Sequence, residues 1–190
     1  MEGNRSKRLE GKRAIVTGGA SGFGAGIARR FAEEGARVIV ADLNGEAARV
    51  LAAELGDADL GVQVDVSSTA DVSALAETAN RLLGGVDILV NNAGVGHTPQ
   101  PLDELSDEAF DRIAAVNMRA IYLMSKAFVP AMKAQGSGAI LNIASTGGVS
   151  PRPNLTWYNA SKGWVITATR AMAVELAPFQ VRVNALNPVA

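Results

Sequence analysis

Short Val- and Ile-rich runs alternate with longer amphipathic stretches along this chain, and that alternation leaves few folds open. RAIVTG at 13–18 is followed by GAGIARRFAEEG at 24–35, RVIVAD at 37–42 and GEAARVLAAELG at 45–56, which reads as strand, helix, strand, helix. The pattern continues through GVQVDV at 61–66, a helix over about 69–83, VDILVNN at 86–92 and AILNIA at 139–144, with long helices on either side of the latter. A helix over about 156–178 and a last strand, VRVNALN, give six strand candidates. Strands apolar on both faces and separated by helices belong in a parallel sheet covered on both sides. Right-handed crossovers then make it a doubly wound, three-layer αβα sandwich of the α/β class. No internal linker, repeat or low-complexity tract interrupts it, so 9–190 reads as a single domain and 1–8 as a flexible tail.

Composition narrows the choice of partner. With 18 basic and 19 acidic residues the formal net charge is −1, which gives neither nucleic acid nor an anionic membrane a footprint. Cysteine is absent and His97 is the single histidine, so thiolate and multi-histidine metal centres are excluded. The opening residues lack the apolar core of a signal peptide, and no apolar run approaches the ~18 residues of a membrane span. A cytoplasmic protein with a small-molecule partner and no metal is the expectation.

In open α/β sheets ligands bind beyond the carboxyl ends of the strands, and the unusual residues of this sequence fall there. The first strand runs into Thr17-Gly18-Gly19-Ala20-Ser21-Gly22-Phe23-Gly24 and then straight into a helix. Gly18 permits a tight turn, Gly22 lets the backbone come close to a pyrophosphate, and Gly24 lets the helix approach the sheet. Ser21 and Phe23 complete this turn. A flexible glycine-rich loop would look the same in isolation, but here it sits between a strand and a helix. The second strand ends in Asp42-Leu43, where an acid can accept hydrogen bonds from both ribose hydroxyls and repel a ribose 2′-phosphate. NAD(H) is therefore favoured over NADP(H), with a helix cap as the other reading of Asp42. Arg37 opens that strand, too far back to read a phosphate. Asp65-Val66 could contact adenine. Asn91-Asn92-Ala93-Gly94 offers amides and small residues where a cofactor must come close, although both are ordinary turn sequences.

Ser145 closes the fifth strand candidate, and Tyr158 and Lys162 follow on one face of the next helix. A phenol with a free pKa of about 10 needs a nearby cation to act as a base near neutrality, and Lys162 is placed to supply it. Taken singly these are a core aromatic, a solvated charge and a turn residue; together at strand ends they favour catalysis.

With TGxxxGxG at Thr17 to Gly24, NNAG at Asn91 to Gly94, and Ser145 with the YxxxK pair Tyr158 and Lys162, the chain resembles the short-chain dehydrogenase/reductase family, nearly throughout from Leu9 onward. The resemblance implies a Rossmann-like domain. It implies Tyr158 as general acid/base, Ser145 positioning the substrate oxygen, and Lys162 lowering the tyrosine pKa while holding the nicotinamide ribose. It also singles out Asn117 as a fourth catalytic member sustaining a water relay behind the lysine; its residue-level alternative is a helix amide bonding locally. Pro188 belongs to the cofactor set, in Asn187-Pro188-Val189 where the family commonly has Asn-Pro-Gly.

The implied reaction is hydride transfer between nicotinamide and a secondary alcohol or ketone, with a 3-oxoacyl thioester, a polyol or a hydroxy acid as substrate. The alternative is an inactive dinucleotide-binding regulatory or scaffolding protein. Val95, Gly96, Thr146 to Gly148 and the segment Pro151 to Trp157 are substrate-wall candidates, with Trp157 equally a core or subunit contact; His97 could touch a polar substrate but reads as an exposed loop residue and is assigned no role. Similar proteins pair the helices near 107–135 and 156–178 into dimers of dimers, so a homotetramer is expected. Family members also usually continue for roughly another ~60 residues, which would restore a usual domain size, so a longer natural protein is expected.

Overall fold

The computed structural model describes residues 7–57 and 60–189. Six strands form one parallel sheet: β1 (Arg13–Thr17), β2 (Arg37–Asp42), β3 (Gly61–Gln63), β4 (Ile88–Asn91), β5 (Gly138–Ile143) and β6 (Val181–Leu186). Their order across the sheet is β3-β2-β1-β4-β5-β6, with every pairing parallel. The chain first moves outward from β1 to β3 and then returns to β4 on the other side. The strand order thus reverses between β1 and β4, and that crevice is where an open α/β sheet binds ligands.

Ile15, Val16, Ile39, Val40, Leu89 and Val90 are fully buried. A strand covered on both faces has no polar side, which is why these runs do not alternate. Each such side chain contributes about 1.5–3 kcal/mol of burial. Helices α1 (Gly22–Glu33), α2 (Gly45–Glu54), α3 (Thr69–Leu83), α4 (Asp107–Ile113), α5 (Ala120–Gln135) and α6 (Thr156–Leu176) cover the sheet. At the amino ends of β1 and β4, away from the crevice, Arg13 grips Asp87 through two charge-assisted bonds of 2.8 Å. The guanidinium holds that carboxyl below its ordinary range.

Three elements depart from the periodicity. The strand expected over 61–66 stops at Gln63 because Asp65 turns the chain: its carboxylate accepts the Ser67 amide and hydroxyl, and its amide donates to Asp71. Ser68 and Asp71 then cap α3 reciprocally. The helix expected over 107–135 is interrupted by a π turn over Ala114–Arg119. There Asn117 directs its side chain outward at the backbone of Val95, and π turns of this kind occur mostly as single widened turns within α-helices. The last long helix closes as a 3₁₀ turn at Ala177–Phe179, which holds Pro178.

Residues 1–6 of the expected tail lie outside the described residues; Arg8 is tied to Glu34 at 2.7 Å. Among the described residues no helix is long and apolar enough to cross a membrane, and no cluster of His, Asp or Glu could hold a metal ion.

Candidate active site

The turn from β1 into α1 is shaped by what its glycines lack. Gly18 has φ +58°, and a Cβ there would fall 2.9 Å from the Ala93 Cα. A Cβ on Gly24 would run into the Gly18 carbonyl oxygen and the Asn92 amide. Gly22, at φ +51°, faces open space. Ser21 precedes α1 without a side-chain capping bond, and the first turn of that helix has no acidic residue. The helix end therefore presents uncapped amides, the ordinary setting for a phosphate.

The turn after β4 clamps this loop. Asn92 donates through Nδ2 to the Thr17 and Gly18 carbonyl oxygens, both at 2.9 Å. Thr17 Oγ1 in turn accepts the amides of Asn92 and Ala93 at 3.0 and 3.1 Å. Asn91, by contrast, points into the sheet: its Nδ2 donates to Asn142 Oδ1 at 2.8 Å, and Asn142 donates to Thr169. Of the two asparagines, only Asn92 reaches the ligand side.

A cleft of about 630 Å³ opens above the crevice, with Gly18 and Ser21 on one side, Asp42 and Leu43 at the end of β2, and Asp65 and Val66 beyond. Asn92, Ala93 and Gly94 form its floor. Its volume lies within the usual range for small-molecule sites. The two Asp42 oxygens accept the amides of Ala20 and Asn44, each at 3.0 Å. Each oxygen keeps a lone pair for a ligand hydroxyl. Asp42 is not the helix cap, because Asn44 fills that role by accepting the Ala47 amide.

A second cavity of about 200 Å³ shares Asn92, Gly94 and Val95 with the first and brings Ser145, Tyr158 and Lys162 together with Phe23 and Pro188. Ser145 Oγ accepts the Gly147 amide at 3.0 Å, which leaves its proton free to donate. The Pro188 carbonyl accepts the Thr146 amide, so that segment is joined to the Ser145 turn. Lys162 is only 5% exposed. Its Nζ donates to the Ile143 carbonyl at 2.9 Å and lies 5.8 Å from the centre of the Tyr158 ring. No ion pair joins it to a carboxylate among the described residues, and burial pushes its ammonium down to about 8. Asn117 is buried behind this cavity with its amide on Val95 and Ser161; local helix bonding does not describe it.

His97 is not the exposed loop residue that the sequence suggests. It is half-buried, its Nδ1 lies 2.9 Å from the Thr98 carbonyl oxygen, and its Nε2 is shielded from solvent without a partner. Val95 and Gly96 line the smaller cavity beside Tyr158. Trp157 instead bonds the Leu102 carbonyl and meets Phe110 edge-to-face at 5.6 Å, which fixes the loop ahead of α4. The far wall of the larger cleft, made by Asp111, Arg112, Ala115 and Val116, escaped sequence reasoning. Its only signal was helical spacing on a segment with no motif.

Residues 12–190 match the profile of the short chain dehydrogenase family. The 4-formylbenzenesulfonate dehydrogenase of Comamonas testosteroni is 48% identical over 179 residues, covering 93% of this chain and 71% of that protein. A 3-ketoacyl-(acyl-carrier-protein) reductase from Brucella melitensis, solved with NADH, superimposes with a TM-score of 0.92 at 51% identity, covering 96% of this chain and 77% of that one. An NAD+-bound xylitol dehydrogenase superimposes with a TM-score of 0.90 at 34% identity, covering 96% and 71%.

Proposed function

Because the chain belongs to the short-chain dehydrogenase family, we propose that it oxidises a small polar secondary alcohol, a polyol or hydroxy acid, with NAD(H) as cofactor and Tyr158 as acid/base. A 3-oxoacyl thioester is the second substrate class. The glycine cradle, the uncapped helix end and the Asp42 carboxylate suit a dinucleotide. Bound there, the nicotinamide supplies a carbon that accepts or donates hydride.

The chain's own groups do the rest. In the oxidative direction Tyr158, as phenolate, takes the hydroxyl proton while hydride leaves the carbinol carbon. In reduction the phenol returns that proton to the carbonyl oxygen. Ser145 donates its free proton to the substrate oxygen and fixes it beside the phenol. Lys162 stabilises the phenolate and reaches the nicotinamide ribose; Asn117 sustains proton supply behind it. Gly18, Ser21, Gly22, Phe23 and Gly24 hold the pyrophosphate end, Asp42 and Leu43 the adenosine ribose, Asp65 and Val66 the adenine, and Asn92, Ala93, Gly94 and Pro188 the nicotinamide side.

The observation that carries this reading is the buried Lys162 ammonium, held on a carbonyl with no carboxylate partner among the described residues and set against Tyr158. A structural lysine would ordinarily be paired or solvated. The test is an initial-rate screen of NAD+ with polyols and hydroxy acids, and of NADH with 3-oxoacyl thioesters. Turnover of an alcohol supports the proposal, thioester reduction alone moves the substrate, and no turnover with intact dinucleotide binding replaces it with a binding protein.

The same reading makes 9–190 one cytoplasmic unit assembled as a homotetramer. Tyr122 on α5 and Trp164 on α6, which line one groove, are 55% and 37% exposed, a surface that a second copy would cover. Light scattering that gives a monomer at working concentration removes the assembly.

A further inference from the structure

Ser161 lines neither cavity and lies one residue before Lys162, yet it is only 2% exposed and both sides of its hydroxyl are occupied. Its Oγ donates to the Tyr158 carbonyl at 2.7 Å and accepts from Asn117 Nδ2 at 2.9 Å. A serine that bonds back to a carbonyl in the preceding turn is an ordinary local feature of helices. The second partner, Asn117, is not local, because it comes from the π turn between α4 and α5.

Asn117 has no further capacity to shift. Its second Nδ2 proton goes to the Val95 carbonyl at 2.9 Å, and its Oδ1 accepts the Val95 amide at 2.8 Å. The set therefore runs from Val95, which lines both cavities, through Asn117 and Ser161 to the backbone of Tyr158. None of these groups titrates near neutrality, so every donor and acceptor keeps one direction. Tyr158 stands in the first turn of α6, whose N-cap Leu155 supplies no side-chain bond; the turn is held by side-chain bonds instead, Trp157 to Leu102 and Asn159 to Arg152 on either side of Tyr158 and Ser161 to the Tyr158 carbonyl itself.

We infer that Ser161 is a positioning residue for Tyr158: by bridging Asn117 to the Tyr158 carbonyl it fixes the first turn of α6 against Val95 and so sets the phenol in register with Lys162. The inference about geometry stands on the bonds above; its consequence for rate rests on the proposed oxidoreductase chemistry.

The test reads the phenol directly. A near-ultraviolet phenolate titration, taken as the difference between a protein and its Tyr158→Phe counterpart, isolates Tyr158 from Tyr122, the one other tyrosine. Ser161→Ala is expected to shift the Tyr158 midpoint as the phenol loses its register with Lys162, and Ser161→Thr, which keeps the hydroxyl, to restore it. An unchanged midpoint in folded Ser161→Ala protein overturns the inference. Where circular dichroism shows that the alanine variant has not folded, Ser161→Cys is read in its place by the same criterion. In parallel, kcat is expected to fall about tenfold with KM for the dinucleotide within about twofold. Absence of turnover in the unsubstituted protein would sink the oxidoreductase proposal alone, because the titration judges Ser161 without it.

Discussion

The two ends of the binding cleft are built by opposite means. At the proposed nucleotide end the structure works by omission: Gly18 and Gly24 leave out side chains so that backbone can approach backbone, and Gly22 leaves open space. At the catalytic end it works by burial: Asn117, Ser161 and Lys162, each 5% exposed or less, are held by partners from distant segments. A binding surface for a phosphate needs only donors and room, and water can share the site. A phenol that must give up its proton near neutrality needs a cation kept out of water, and keeping it there costs stability.

The sharpest break between the two ends should come from Tyr158→Phe. The proposed acid/base is removed while the cradle is untouched, so kcat is expected to fall about a thousandfold with dinucleotide affinity within about twofold. Comparable losses of rate and affinity would mean that the two ends do not act separately. The reverse dissection is Gly24→Ala. Its Cβ meets the Gly18 carbonyl oxygen, and neither backbone can yield cheaply. Dinucleotide affinity is expected to drop about a hundredfold, and thermal unfolding should show a destabilisation of about 1–3 kcal/mol. Gly26→Ala is the control on the same helix: nothing lies within 4 Å of the added carbon, so it should stabilise the fold by about 0.5–1 kcal/mol.

This contrast also explains what the sequence could and could not disclose. The six strands and the glycine turn follow from patterns a few residues long, and the sheet contains them in the order expected of a doubly wound fold. That Tyr158 and Lys162 lie side by side was legible because one helix turn separates them. Ser161 shares that turn, but its role depends on Asn117, 44 residues away in the chain, and no periodicity encodes that contact. The π turn escaped for the same reason: the bonds to Val95 that accompany it are tertiary, and the segment reads as uninterrupted helix. Asn91 and Asn92 look alike in sequence, yet the pleat sends one toward Asn142 and the other toward Gly18. His97 misled because loop position suggested solvent, whereas its Nε2 is shielded.

A smaller effect sharpens the nucleotide end. Asp42 is preoriented by two amides, so in the proposed complex its charge would meet whatever occupies the ribose 2′ position. Isothermal titration is expected to give NADH tighter than NADPH by about tenfold or more, or about 1.4 kcal/mol. Asp42→Asn removes the charge at nearly constant shape and should shrink that ratio to about threefold or less. Equal or tighter NADPH binding by the unsubstituted protein would end the NAD(H) assignment and move 3-oxoacyl thioesters to the head of the substrate search.

The finest test asks whether the catalytic end carries the stability penalty that its burial implies. Burial lowers Lys162 from an ordinary 10.5 to about 8, so the unfolded chain binds that proton more tightly than the folded one. The penalty is then fully present below about pH 8 and is relieved as pH rises toward 10.5. Lys162→Met removes the charge, although it also forfeits the bond to the Ile143 carbonyl, which offsets part of the gain. Chemical denaturation should therefore show Lys162→Met more stable by about 1 kcal/mol near neutrality, with the difference narrowing as pH climbs through that window. A variant less stable at every pH would make Lys162 a structural cross-link. Greater stability, accompanied by lost turnover and retained dinucleotide binding, would place the energetic cost of this site in its chemistry rather than in its grip on the cofactor.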